Sequence, residues 1–366
     1  MHNASNAGQA MNSQINFCTL FDRNYLFKGL VLLDSLMRTC SSFRLWILCC
    51  DDIVLAVLRK MDLKNVVLIS LREFEDEELL NIKQTRSPVE YYWTCTPSLP
   101  LFVLNREPRL DMITYIDADL YFYSDPKVLF GEFGGHSIGV IEHKYSPDYQ
   151  KREKTSGRYN VEFLIFRNDA NALECLKWWR ERCNEWCFFK HEDGKFGDQK
   201  YLDEWEGRFK GFYVLQHKGA GVAPWNVRNY AVRNTDGTVT IDGQELVFYH
   251  FHQLNILKAD TYDLTRGYIL GDAAIDLIYR PYVLCLEDTI RYVQGLEPCY
   301  QYGFGTQYYP RPTSLEGLIK HLILKNKLLM TLIRKYLGWL TGKKFYVYTI
   351  NNKQGLVPRR HKQDER

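Results

Sequence analysis

A chain of 366 residues with 46% hydrophobic and 25% charged residues can bury a sizeable core, and that balance is ordinary for a globular protein rather than a fibre or a small disulfide scaffold. The net charge of +3 is unevenly spread: from Gly317 onward twelve Lys and Arg oppose only Asp364 and Glu365, which leaves the body before it mildly acidic. A basic end on a mildly acidic body points to an anionic partner for the tail and not for the whole protein, and no nucleic-acid partner is expected.

In chain order, the polar residues 1–14 lack the apolar core of a signal peptide. Ten scattered cysteines then read as reduced thiols of a cytoplasmic protein. Residues 15–20 read as a strand that ends in Phe21-Asp22-Arg23-Asn24-Tyr25, and 25–37 carries apolar residues at helical spacing. A second strand over 43–49, a helix over 51–61 and a third strand over 66–69 follow, then an acidic loop at 73–78 and a helix at 90–105. This rhythm predicts an α/β fold with a mostly parallel sheet flanked by helices. Ligands of such sheets gather beyond the carboxyl ends of the strands, which sets Asp22 and Asp117 on one edge. The second half is less regular, with strands at 136–141 and 160–166, a Trp-rich helix at 172–190 and a short helix opening after Gly197. No apolar run reaches the length of about 18 residues that a transmembrane helix needs.

The sharpest chemistry is in Met112-Ile-Thr-Tyr-Ile-Asp117-Ala-Asp119. A short β-branched run ends in two carboxylates one residue apart, and in an extended segment those side chains share a side. Two anions at the rim of a core call for a cation, and an oxygen-rich set suits Mg2+ or Mn2+. The plain alternative is a pair of solvated loop aspartates. His250, with His252 as a fallback, supplies an imidazole for the same ion, or else is a hydrogen-bonded core histidine. Cys183, Cys187 and His191 have the spacing of ligands on one helical face, although the surrounding Trp178, Trp179, Trp186 and Phe188 favour a core segment. Arg86 before Ser87-Pro88 is a candidate for a bidentate diphosphate contact, and Asp198 is a sugar-side carboxylate or a helix N-cap. Trp225, on a loop with Pro224 and Gly221, is a candidate stacking platform for a sugar or a core plug.

These residues, in this order, resemble the GT-A fold nucleotide-sugar glycosyltransferases, and among them glycosyltransferase family 8, the glycogenin and lipopolysaccharide galactosyltransferase group, with its bacterial relatives. The likeness spans residues 15–255: Asp22 and Tyr25 after the first strand, Asp117-Ala118-Asp119, Asn160-Val161-Glu162-Phe163, Asp198-Gln199 and His250-Phe251. It departs where the family has His-Phe-x-Gly-x-x-Lys-Pro-Trp, because Gln253 replaces Gly and no Lys-Pro-Trp follows, and where Asn-Ala-Gly is replaced by Asn160-Val161-Glu162. The resemblance implies a GT-A domain over 14–312; composition and apolar spacing set off a polar leader at 1–13 and a basic, helical amphipathic extension at 313–366. The resemblance also implies nucleotide-sugar contacts from Thr19, Asp22, Tyr25, Arg86, Asp117, Asn160 and Trp225, metal ligation by Asp117, Asp119 and His250, and catalysis by Asp198, Gln199 and Glu162.

The expected reaction is metal-dependent transfer of a hexose from a nucleoside diphosphate sugar, a UDP-sugar foremost, to a glycan, lipid-linked or protein acceptor. Retention is expected, with Asp198 or Gln199 stabilising an oxocarbenium-like state; inversion would need Asp198 or Glu162 as base. Bacterial surface polysaccharide or lipid-linked glycan assembly is the expected setting. The alternatives are a toxin-like transferase acting on a protein, a haloacid-dehalogenase-like phosphatase, and a non-catalytic carbohydrate-binding protein. The phosphatase is disfavoured by Tyr121 two residues after the second Asp. In the tail, apolar residues from Leu315 to Leu340 recur at spacings near 3.6 among lysines and arginines. Such a stripe suits a peripheral helix at the inner face of an anionic membrane, or a helix packed on the body.

Overall fold

The computed structural model describes residues 14–305, 347–351 and 355–358. From β1 (Ile15–Phe21) the chain runs through α1 (Leu26–Thr39), β2 (Phe43–Cys49), α2 (Asp52–Arg59) and β3 (Val66–Ser70). Four helices follow, α3 (Leu71–Phe74), α4 (Glu77–Lys83), α5 (Pro88–Cys95) and α6 (Ser98–Arg106), before β4 (Met112–Ile116) and β5 (Leu120–Phe122). Next come α7 (Lys127–Phe133), β6 (Ile138–Glu142), α8 (Arg152–Ser156), β7 (Tyr159–Arg167), α9 (Ala170–Glu185), α10 (Trp205–Arg208) and β8 (Phe212–Val214). The chain then forms β9 (Val232–Thr235), β10 (Thr238–Ile241), β11 (Gln244–Glu245), β12 (Phe248–His250), β13 (Asn255–Lys258) and β14 (Thr261–Asp263), and later α11 (Asp272–Ala274), α12 (Arg280–Leu296), β15 (Val347–Asn351) and β16 (Gly355–Pro358).

Seven strands form the central sheet in the order β3-β2-β1-β4-β7-β6-β8, and only β7 runs against its neighbours. Its inner strands are near-continuous apolar runs because both faces are covered. Alternate side chains feed two cores: Phe17, Leu45, Ile47, Phe163 and Ile165 pack under α1, α2 and α12. Cys18, Trp46, Leu48, Leu164 and Phe166 face α5, α6 and α9 instead. A two-stranded ladder, β5 with β12, joins the end of β4 to a segment far along the chain.

Three expectations need correction. The acidic stretch at 73–78 is not a loop: the Ser70 hydroxyl and the Asp76 carboxylate cap α3 and α4, and acidic residues in a first turn favour a helix. The single helix at 90–105 is two, α5 and α6, separated at Thr96-Pro97, where proline cannot continue the backbone ladder. The span at 172–190 helical by pattern stops at Glu185. The apolar stripe at 315–340 lies outside the described residues; of 313–366 the structure describes β15 and β16, which extend an antiparallel sheet from β14. No described helix is long and apolar enough to cross a membrane.

Candidate active site

Asp117 and Asp119 follow β4, but not in extended backbone. Leu120 N–H donates to the Asp117 carbonyl, so the pair sits in a tight turn. Two long-range contacts hold that turn. Asp117 N–H donates to the carbonyl of Glu162 on β7, and Phe251 N–H donates to the carbonyl of Asp119 beside the β5–β12 ladder. The ladder register sets His250 opposite Leu120, next to both aspartates.

The imidazole is fixed at both nitrogens. Nδ1 is 2.5 Å from Glu162 Oε2, and Nε2 is 3.0 Å from Asp119 Oδ1 and 3.7 Å from Asp117 Oδ2. Asn160 Nδ2 donates to the same Glu162 oxygen, and Glu162 N–H to Asn160 Oδ1, so the carboxylate is itself oriented. Gly221 packs here at φ +72°, where a Cβ would stand 2.3 Å from Ile141 Cγ2 and 3.3 Å from Glu162 Oε1, so only glycine fits.

Asp117, Asp119 and His250 offer ligand atoms within 4.8 Å of one another, and they are the cluster of this kind among the described residues. The set fits a divalent cation. With its Nδ1 proton held by Glu162, the ring aims the Nε2 lone pair at two anions, an arrangement that calls for a proton or a metal ion between them. The electrostatics agree. Burial opposes charge on His250, but Asp119 and Glu162 outweigh it and raise the imidazole well above its usual range. Burial lifts the Asp117 carboxyl to about 6, with His250 opposing and Asp119 reinforcing. Asp119 is held below the usual carboxylate range, because His250 and then Lys28 overcome its burial. His252 stays outside the cluster, its ring 5.5 Å from that of His250, and burial, then the His250 charge, lower it to about 3. The fallback ligand is therefore the neighbour, and His250 faces the carboxylates.

Other sequence candidates divide. Asp198 is buried, and burial, then the Asp117 charge, push it up to about 7 against a hydrogen bond with Thr96. Gln199 donates through Nε2 to the Ser156 carbonyl. Thr19 is buried near the end of β1, with its hydroxyl unpartnered. Asp22 accepts from the backbone and side chain of Asn24, and Tyr25 is exposed beside it. Past Asp22, at the carboxyl ends of β1, β2 and β3, a cleft of about 520 Å³ is lined by Arg23, Cys50, Asp51, Ile53, Leu71 and Glu75. Arg86 stands apart: its guanidinium donates to the Asn184 carbonyl and lies 4.0 Å over the Phe188 ring. Trp225 is no open platform. Its ring is 4% exposed, its Nε1 donates to the His143 carbonyl, and its edge meets both His250 and His252. Cys183 and Cys187 are buried, whereas His191 is exposed against the Thr155 carbonyl, so these three do not converge.

Two site residues escape the sequence reading. Tyr115 Oη donates to Asp117 Oδ1 at 3.1 Å, and Lys28 Nζ lies 3.5 Å from Asp119 Oδ2. The signal for Lys28 is a single charge within the apolar run Leu26-Phe-Lys-Gly-Leu-Val-Leu-Leu33.

No protein-family model matches the chain. The Bacillus subtilis (strain 168) protein YfnD, described as uncharacterised, is 34% identical over 295 residues, which are 80% of this chain and 95% of YfnD. This chain belongs to the YfnD family. YfnF of the same organism, also described as uncharacterised, is a second relative at 32% identity over 77% of this chain and 95% of its own length. Solved structures similar to this member of the YfnD family include galactosyltransferase LgtC in complex with donor and acceptor sugar analogues (16% identity, 64% of this chain, 86% of that chain, TM-score 0.40). Mouse xyloside xylosyltransferase 1 (16% identity, 65% and 97%, TM-score 0.40) and the glycosyltransferase GlyE of Streptococcus pneumoniae TIGR4 (14% identity, 81% and 67%, TM-score 0.42) are others.

Proposed function

We propose that the protein is a metal-dependent glycosyltransferase that moves a hexose from a nucleoside diphosphate sugar, a UDP-sugar foremost, onto a glycan, lipid-linked or protein acceptor. The observation that carries this reading is the convergence of Asp117, Asp119 and His250, with Glu162 clamping the imidazole, at the carboxyl edge of the sheet. The ordered motifs that resemble family 8 are distributed around that point. Asp117, Asp119 and His250 would hold Mn2+ or Mg2+, and such an ion neutralises a departing diphosphate when bound.

The protein's own groups do the rest. Glu162 keeps the His250 ring in one tautomer and one orientation, and Tyr115 fixes one Asp117 oxygen. The cleft beyond Asp22, lined by Arg23, Asp51 and Glu75 among others, receives the nucleoside end, and Thr19, Asp22 and Tyr25 belong to the β1 end that leads to it. Asp198, poised near neutrality, and Gln199 face the sugar and stabilise positive charge at the anomeric carbon, which favours retention. In this reading 14–312 is the catalytic domain, and 313–366 docks a cytoplasmic protein on an anionic membrane where surface-polysaccharide acceptors are assembled.

The test is a thermal-shift and turnover screen of nucleotide sugars with and without Mn2+. The expected result is a shift and a slow release of nucleoside diphosphate that need both components. Absence of both across the panel rejects the reading.

A further inference from the structure

We infer that Lys28 is an anion-binding residue of this site, a fixed ammonium that contacts the diphosphate of the bound nucleotide; the inference rests on the reading above.

Among the described residues Lys28 is the one lysine or arginine that is buried, at 6% exposure. Such burial is costly unless the charge is well paired. Its pairing is poor. The distance to Asp119 Oδ2 is 3.5 Å, whereas charge-assisted N–H···O contacts cluster near 2.7–2.9 Å. Its other neighbour is the Tyr25 ring, with Nζ 4.4 Å from the centroid. A group with three donors and one long contact is under-used as a counter-ion.

Its position suggests the use. Asp119 divides its oxygens, Oδ1 toward His250 Nε2 and Oδ2 toward Lys28. Lys28 therefore lies across one carboxylate from the point where the three ligands converge. On its other side Tyr25 is 42% exposed, and Tyr25 N–H donates to the Asp22 carbonyl. The ammonium thus stands between the acidic cluster and the turn that leads to the nucleoside cleft. A polyanion with oxygens on two adjacent phosphorus atoms spans such a pair of positive centres, and a single carboxylate or a neutral sugar does not. Helix α1 holds the lysine in place: its neighbours Phe27, Gly29 and Val31 are buried, and a Cβ at Gly29 would stand 2.5 Å from the Phe21 ring.

The experiment measures two affinities by calorimetry on the full chain: Mn2+ alone, and inorganic pyrophosphate at saturating Mn2+. In Lys28→Met the pyrophosphate affinity falls roughly tenfold or more, as expected for loss of one charge-assisted contact. The Mn2+ affinity is unchanged or tighter, because a competing cation has left Asp119. Lys28→Gln serves if the Met variant does not give a cooperative melt. Equal pyrophosphate affinity in wild type and a folded variant overturns the inference and leaves Lys28 as a counter-charge to Asp119. Failure of the wild type to bind pyrophosphate with Mn2+ overturns it as well. A protein that loses pyrophosphate binding with the lysine yet releases nothing from any nucleotide sugar keeps the inference and sinks the transferase reading, so the two fail separately.

Discussion

Asp117 and Asp119 meet His250 at one point although a long stretch of chain lies between them, whereas Cys183 and Cys187 share one buried core from which His191, a close neighbour in the chain, turns away. The first group is assembled by a ladder, β5 with β12, and by the Glu162 clamp. The second depends on a helical face that does not exist, because α9 ends at Glu185 and leaves only Cys183 inside it. His191 turns outward and stacks on Phe196 at 4.2 Å. Ligand spacing matters only where the backbone between the ligands keeps the assumed period, and a sheet contact can do better with no local spacing at all.

The comparison is easiest to break at the aspartates. Asp117→Asn or Asp119→Asn is expected to lower metal-dependent turnover by about a hundredfold or more, since neutralising the leaving diphosphate is worth several kcal/mol. Full turnover at saturating Mn2+ in either variant would refute the assignment. Next in size is Glu162→Gln, which touches no ion. Loss of the group that orients a ligating imidazole weakens metal affinity roughly 10–100-fold. A Mn2+ titration of the folded variant that overlays the wild type would reduce Glu162 to a core residue.

A smaller effect is read in pH. The Asp198 carboxyl is raised to about 7, above the unfolded aspartate value of about 4. Between those values the folded protein keeps a proton that the unfolded chain has released. The contribution is full below about pH 4 and is lost as pH rises through about 7. Melting temperature without added metal is therefore expected to fall across that window by several degrees, and Asp198→Asn to flatten the slope. Parallel melting curves for both proteins would count against the buried acid. The smallest effect sharpens the contrast: His191→Ala should leave Mn2+ affinity untouched and shift stability by less than about 0.5 kcal/mol, and a metal-binding loss there would reopen the cysteine segment.

How much the chain discloses depends on whether a feature is local. The strands at 43–49 and 112–116 are legible to the residue, because apolar, β-branched runs buried on both faces have few other places to go. The break at Pro97 was legible too, and a helix drawn through it ignores what proline does to its ladder. The acidic stretch misleads because its charges cap short helices. Non-local facts are the hidden ones. Nothing near Trp225 announces that its ring is walled in by His143, His250 and His252. Nothing near Glu162 announces that it grips an imidazole 88 residues away.

The same separations bear on how the protein matures. Lys28 meets Asp119 across 91 residues, and Glu162 meets His250 across 88. Closing such loops costs chain entropy before any contact rewards it, so these pairings are expected to form late in folding. A nascent chain that has emerged only through β7 carries both aspartates and no imidazole to complete them. Ion capture at the full site would thus be a signature of finished folding. By binding only the native state the ion would also hold it closed, and starving cells of divalent metal would then be expected to show first as a shorter lifetime of the protein and only afterwards as slower chemistry.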